Sequence, residues 1–146
     1  MKTLFSIFAF LFFLGFTNAQ TRFELAKKTA LEKNELILLN FSGSDWCIPC
    51  IKLHKNIIES DDFKKLTNDG VIVYLNADFP RNKKNQIAAN LKKENTALAD
   101  QYNAKGLFPL TLLLNADGKI LKTWEGLPTE DAKSFTQEIL AFYHKK

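Results

Sequence analysis

The chain has 146 residues, 46% apolar and 25% charged, with a formal net charge of +4. That length favours a single domain, and an excess this mild does not argue for nucleic acid, which calls for a clustered basic face. Two cysteines are too few for a small disulfide scaffold.

Lys2 gives a short basic start, residues 4–16 are a Phe-rich apolar run of 13 residues, and Thr17, Asn18 and Ala19 close it before Gln20. This layout predicts a cleaved secretory signal peptide over residues 1–19. The run is short of the roughly 20 residues that cross a bilayer. No cysteine follows it to carry a lipid anchor. Residues 20–146 then form one domain of 127 residues with a charge of +3, since Lys2 is the sole charge removed. That is enough chain for a core without extra staples. Export, to the periplasm or beyond the cell, places the domain where disulfides persist.

Residues 22–33 fit a helix with Phe23, Ala26, Ala30 and Leu31 on one face. Residues 36–41, LILLNF, are a continuous apolar run, as expected of a strand buried on both faces. After a Ser/Gly turn, Pro49 suits the first turn of a helix that starts at the cysteines and continues over residues 51–60, with Leu53, Ile57 and Ile58 inward. Ser60 can cap a short helix that Gly70 stops. Residues 71–77 read as a second strand, 78–93 as a polar connection and 95–104 as a helix. Residues 110–115 give a third strand, Asp117 and Gly118 a hairpin turn, and residues 119–126 a fourth strand with alternating faces. A closing helix opens at Pro128 and Thr129, its apolar side formed by Phe135, Ile139, Leu140 and Phe142. The first strands are joined through helices, which favours parallel pairing. The fold class is therefore α/β, a four-stranded mixed sheet with helices on both faces.

Both cysteines stand in GSDWCIPC, residues 43–50. Two residues apart, they could be a structural staple, half of a metal site or a redox couple. A strand, then Trp46, Cys47, Ile48, Pro49 and Cys50 at a helix start, then Phe108 and Pro109 before a strand and hairpin, resembles the thioredoxin family. The stretch LNFSGSDWCIPCIKLHKNI is most similar to exported thioredoxin-like proteins and periplasmic thiol–disulfide interchange domains. The resemblance spans about residues 21–143. It implies a thioredoxin fold, a Cys47–Cys50 disulfide that opens and closes, a cis peptide at Pro109 beside it, and Gly126 as the glycine after the last strand.

The resemblance assigns roles that chemistry supports. Exchange needs a thiolate, and a helix N-terminus stabilises one on Cys47. Cys47 attacks a substrate disulfide, and Cys50, one turn deeper, resolves the mixed disulfide. Ile48 and Pro49 shape the loop between the sulfurs, and Trp46 shields them and offers an apolar contact. Pro109 lies against the disulfide and exposes the Phe108 backbone to an extended substrate, as strand addition does.

The sequence departs from thioredoxins where a buried aspartate and a lysine would serve Cys50. Asn40 takes the aspartate position, and residues 71–77 hold no lysine. His54, four residues after Cys50 on the same helix, is the candidate proton relay. Asp45 is a second candidate, expected to be exposed in its turn, and Glu59 stands too far along the helix to be favoured. The basic stretch 81–93 reads as a solvated insertion, with partner docking as the alternative. No cofactor and no nucleic acid are expected. The partners implied are protein disulfides and a membrane thiol carrier as electron donor, and the chain is expected to be a monomer.

Two rivals stand beside an exported oxidoreductase of reducing bias. Cys47, Cys50 and His54 would suit Cu(I) or Zn in a thioredoxin-like metal chaperone, although a structural Zn site wants four ligands. A non-catalytic adaptor would use the disulfide as a staple, yet so small a loop gains little from closure.

Overall fold

The computed structural model describes residues 20–146. The expected signal peptide lies outside the described residues. The chain runs through α1 (Arg22–Lys33), β1 (Leu36–Ser42), α2 (Ile48–Leu53), a π-helical turn (His54–Ile58), α3 (Asp61–Asn68), β2 (Ile72–Asp78), a 3-10 turn (Lys83–Asn85), α4 (Ala89–Tyr102), β3 (Leu110–Leu114), β4 (Ile120–Glu125) and α5 (Ala132–Tyr143). The four strands form one sheet in the order β2-β1-β3-β4.

Every residue of β1 is buried, as its unbroken apolar run requires of a strand covered on both faces. Leu36 and Leu38 face a core built with Leu53, Ile57, Phe63, Phe135 and Ile139. Ile37, Leu39 and Phe41 face the other core, with Phe23, Ala26, Ala30 and Leu98. Thus α2, α3 and α5 cover one face, and α1 and α4 cover the other. Burial of each large aliphatic side chain contributes about 1.5–3 kcal/mol.

Parallel pairing holds for β1 and β2, whereas β3 is antiparallel to β1 despite being reached through α4. The segment after α4 returns to the sheet end where β2 finished, and there Phe108 packs on Phe79. β3 therefore starts from that end. The hairpin turn closes through Gly118 N–H to Asn115 O, and β4 follows antiparallel.

Ser60 caps α3 by accepting the Phe63 N–H at 3.2 Å. Three expectations shift. Leu31 is 73% exposed rather than inward, because α1 buries only the stripe of Phe23, Ala26 and Ala30. α4 begins at Ala89, not 95, so the end of the basic stretch is helical. Its buried anchor is polar: Asn95 Nδ2 donates to Asp78 O at 2.8 Å, and Asn95 Oδ1 accepts from Arg22 at 2.7 Å. α5 begins at Ala132 because Asp131, not Thr129, caps it, accepting the Ser134 N–H at 2.8 Å.

Candidate active site

The site forms where β1 ends. The N–H groups of Trp46 and Cys47 both donate to Gly43 O, at 3.3 and 2.9 Å, which closes the turn and sets Cys47 as the N-cap of α2. Pro49 sits in the first turn, where a missing N–H costs nothing. Cys47 and Cys50 are joined by a disulfide with their Cα atoms 5.2 Å apart. Cys47 Sγ also accepts the Cys50 N–H at 3.3 Å. Both cysteines are buried, Cys47 at 4% exposure and Cys50 at 2%, so the expected difference in depth is narrow. Ile48 beside them is 67% exposed.

Trp46 is half-buried and fixed from several sides. Its Nε1 donates to Phe79 O at 2.7 Å, and its ring meets Phe108 edge-on at 5.4 Å. Gly43 is what makes room: a Cβ there would lie 2.3 Å from the indole. The Phe108-Pro109 peptide is cis. Pro109 is buried, and its carbonyl accepts the N–H of Gly126, which has φ +78°, tying the start of β3 to the end of β4.

Asn40 is buried in the middle of the sheet and paired in register with Asn76 and Thr111. Its Nδ2 donates to Asn76 Oδ1 at 3.1 Å, and its Oδ1 accepts from Thr111 Oγ1 at 3.0 Å. A neutral amide row thus crosses β2, β1 and β3 at the level where the resemblance would place an acid. Tyr74, largely buried nearby, has its phenol pushed up to about 12, chiefly by burial.

A groove of about 350 Å³ opens beside Cys50, lined by Ser42, Ile51, His54, Lys55, Glu59 and Asn76 among others. His54 and Glu59 pair across it, Nε2 to Oε1 at 3.3 Å. The low rank given to Glu59 assumed a regular α-helix. The π turn overturns that spacing: the Glu59 N–H donates to His54 O, five residues back, at 2.9 Å. The wider turn carries Glu59 round to the face that holds Cys50 and His54.

Asp45, by contrast, faces away from this groove toward the segment after β2. Its Oδ1 accepts the Arg81 N–H at 2.9 Å, and its Oδ2 accepts Asn82 N–H at 2.8 Å and Asn85 Nδ2 at 3.0 Å. The Arg81 backbone N–H, ahead of the other donors, holds its carboxyl below the usual value of 3.8. The Arg81 guanidinium lies 3.7 Å from the Trp46 ring centre. The segment around Arg81 is therefore solvent-exposed yet tied to the cysteine motif through Asp45 and Trp46.

The sequence assigns Gly43 only to a Ser/Gly turn and Arg81 only to the basic stretch 81–93, and it gives Asn76 no role in the site. Of these, only Gly43 leaves a local trace, as a glycine three residues before Trp46.

A model of the thioredoxin-like domain matches residues 23–142. The chain is 38% identical over 86 residues to the disulfide bond reductase DsbH of Chlamydia pneumoniae, covering 58% of this chain and 49% of that protein. It is 29% identical over 86 residues to the thioredoxin-related protein DsbJ of the same organism, covering 59% of this chain and 24% of that one. The matched region thus spans about half, or less, of those relatives. Among solved structures, a DsbH oxidoreductase superposes with a TM-score of 0.71 at 27% identity, over 83% of this chain and 81% of the other. The oxidised C-terminal domain of DsbD from Neisseria meningitidis has a TM-score of 0.53 at 18% identity, over 80% and 89%, a likeness of fold alone.

Proposed function

The chain belongs to the thioredoxin-like domain family, and from that premise we propose that it is an exported thiol–disulfide oxidoreductase that reduces disulfides in other proteins. The observation that carries this reading is the place of Cys47 Sγ. It heads a helix, accepts the Cys50 N–H and shares a bond with Cys50 Sγ. A sulfur so placed is stabilised as a thiolate once the bond is open. The reductase name of the Chlamydia pneumoniae relative supports the direction of transfer.

In the reduced chain, the Cys47 thiolate attacks one sulfur of a substrate disulfide. A Cys47–substrate bond forms, and the other substrate sulfur leaves as a thiolate and takes a proton from water. Cys50 then gives up its proton and attacks Cys47 Sγ. The second substrate sulfur leaves, two electrons have passed to the substrate, and the observed disulfide results. Recharging needs a dithiol donor, for which a membrane thiol carrier is suited to an exported protein.

Cys50 needs a base for its step. Asn40 cannot serve, because an amide does not accept a proton at working pH. We assign the relay to His54, with Glu59 orienting the imidazole through the 3.3 Å contact. Asn76, hydrogen-bonded to Asn40, keeps the lining of the groove polar without charge.

The direct test is trapping. With a disulfide-containing protein as substrate, Cys50→Ser should accumulate a mixed disulfide on Cys47, and Cys47→Ser should form no adduct. Adducts on Cys50 alone, or none with either variant, would overturn the assigned order of attack.

A further inference from the structure

The positive charge of this chain is unevenly placed. Residues 78–93 hold five basic side chains and one acidic one, while the remainder of residues 20–146 holds 14 basic and 15 acidic. The whole excess therefore lies in one segment, and that segment is clamped to the cysteine motif. Asp45 accepts three hydrogen bonds from it. Gln86 Nε2 donates to Asn82 O at 3.1 Å and tightens it further. Arg81, Lys83 and Lys84 are exposed, and among the described residues none of them is in an ion pair.

Arg81 is held in a useful posture. Its guanidinium stacks 3.7 Å from the centre of the Trp46 ring, and its side-chain N–H groups make no hydrogen bond among the described residues. A stacked guanidinium has already lost much of its rotamer freedom, and its planar fork matches a carboxylate. The Asp45 carboxylate, which accepts the Arg81 backbone N–H, is spent on loop amides and so does not compete for that fork. Trp46, Ile48 and Phe108 provide an apolar strip alongside.

We propose that the segment around Arg81, Lys83 and Lys84 is a docking shoulder for an acidic polypeptide, one with carboxylates a few residues from the cysteine presented to Cys47. This deepens the exchange reading and rests on it for the position of the substrate cysteine. An acidic peptide fits better than an anionic membrane because Arg81 lies over Trp46, the residue next to Cys47, and Trp46 in turn meets Phe108, so the segment opens onto the exchange site.

The test separates docking from chemistry. Fluorescent cysteine-free peptides, matched except for three Glu or three Lys, are titrated with the oxidised protein and followed by anisotropy. The acidic peptide should bind roughly tenfold more tightly than the basic one at about 10 mM salt, with the preference gone near 1 M. Substitution of Arg81, Lys83 and Lys84 by Gln should abolish it. Substitution of Lys64, Lys65 and Lys133, on the opposite layer, should leave it intact. Equal binding of both peptides, survival of the preference in the first triple variant, or tighter binding to anionic phospholipid vesicles than to the acidic peptide would each overturn the proposal. Exchange of the wild type with neutral bis(2-hydroxyethyl) disulfide is read separately. Failure of the wild type there would count against the exchange reading and leave the peptide result standing.

Discussion

Gly43→Ala puts the packing of the site to a quantitative test. The new Cβ would sit 2.3 Å from Trp46 Cε2 and 2.6 Å from Nε1 and Cζ2. Carbon atoms rest at about 3.5–4.0 Å, so the indole must retreat by more than about 1 Å. Retreat breaks the 2.7 Å bond from Nε1 to Phe79 O, a loss of about 1 kcal/mol, and overpacking adds about 1–3 kcal/mol. Gly43 is not in the left-handed region, so alanine also stiffens the unfolded chain and returns about 0.4–1 kcal/mol. The net expectation is destabilisation of about 1–3.5 kcal/mol. Urea unfolding of the oxidised protein measures it, and tryptophan emission reports the displaced ring. Exchange should slow as well, because Trp46 adjoins Cys47. Gly106→Ala is the contrast: φ is +64° with nothing within 4 Å, so it carries backbone strain of about 1–2 kcal/mol and leaves emission and exchange unchanged. Wild-type stability and emission in Gly43→Ala would refute the packing argument.

Three further outcomes follow from the site. Asp45 has a lowered carboxyl pKa, so its hold on the loop is complete above the ordinary value of 3.8 and is lost as pH falls through the lower folded value; hydrogen exchange at the Arg81 and Asn82 amides should accelerate only below that range, and at every pH in Asp45→Ala. Glu59→Gln should slow resolution of the mixed disulfide several-fold, since it weakens the 3.3 Å contact that orients His54; Glu59→Asp should restore part of the rate, and a wild-type rate in Glu59→Gln would remove Glu59 from the relay. Tyr74, with its phenol raised from 10.0 to about 12, favours the folded state fully below pH 10 and loses that contribution as pH rises toward 12; Tyr74→Phe should flatten this alkaline loss in denaturant titrations.

Much of this architecture is written locally. The uninterrupted apolar run of β1 announces a strand buried on both faces, and Ser60 announces the start of α3 through its own cap. The cysteine spacing, with Trp46 before it and Pro49 inside it, places the centre of the site. What stays hidden depends on contacts across the fold. The start of α4 is masked because its anchor is a buried Asn95 rather than an apolar stripe. The role of Glu59 needs the π turn, and the inward positions of Leu53, Ile57 and Ile58 fit an ordinary helix equally well. The grip of Asp45 on Arg81 joins positions 36 residues apart, which no local pattern records.

The central claim is that Cys47 and Cys50 are a reversible, reducing couple. The measurement that tests it most directly is the reduction potential of this pair, taken by equilibrating the protein in graded thiol buffers and trapping it with an alkylating agent. The account predicts one two-electron transition at or below about −230 mV, as suits a reductant recharged by a donor. A midpoint above about −180 mV would contradict the reducing role, and cysteines that do not titrate reversibly would contradict exchange itself.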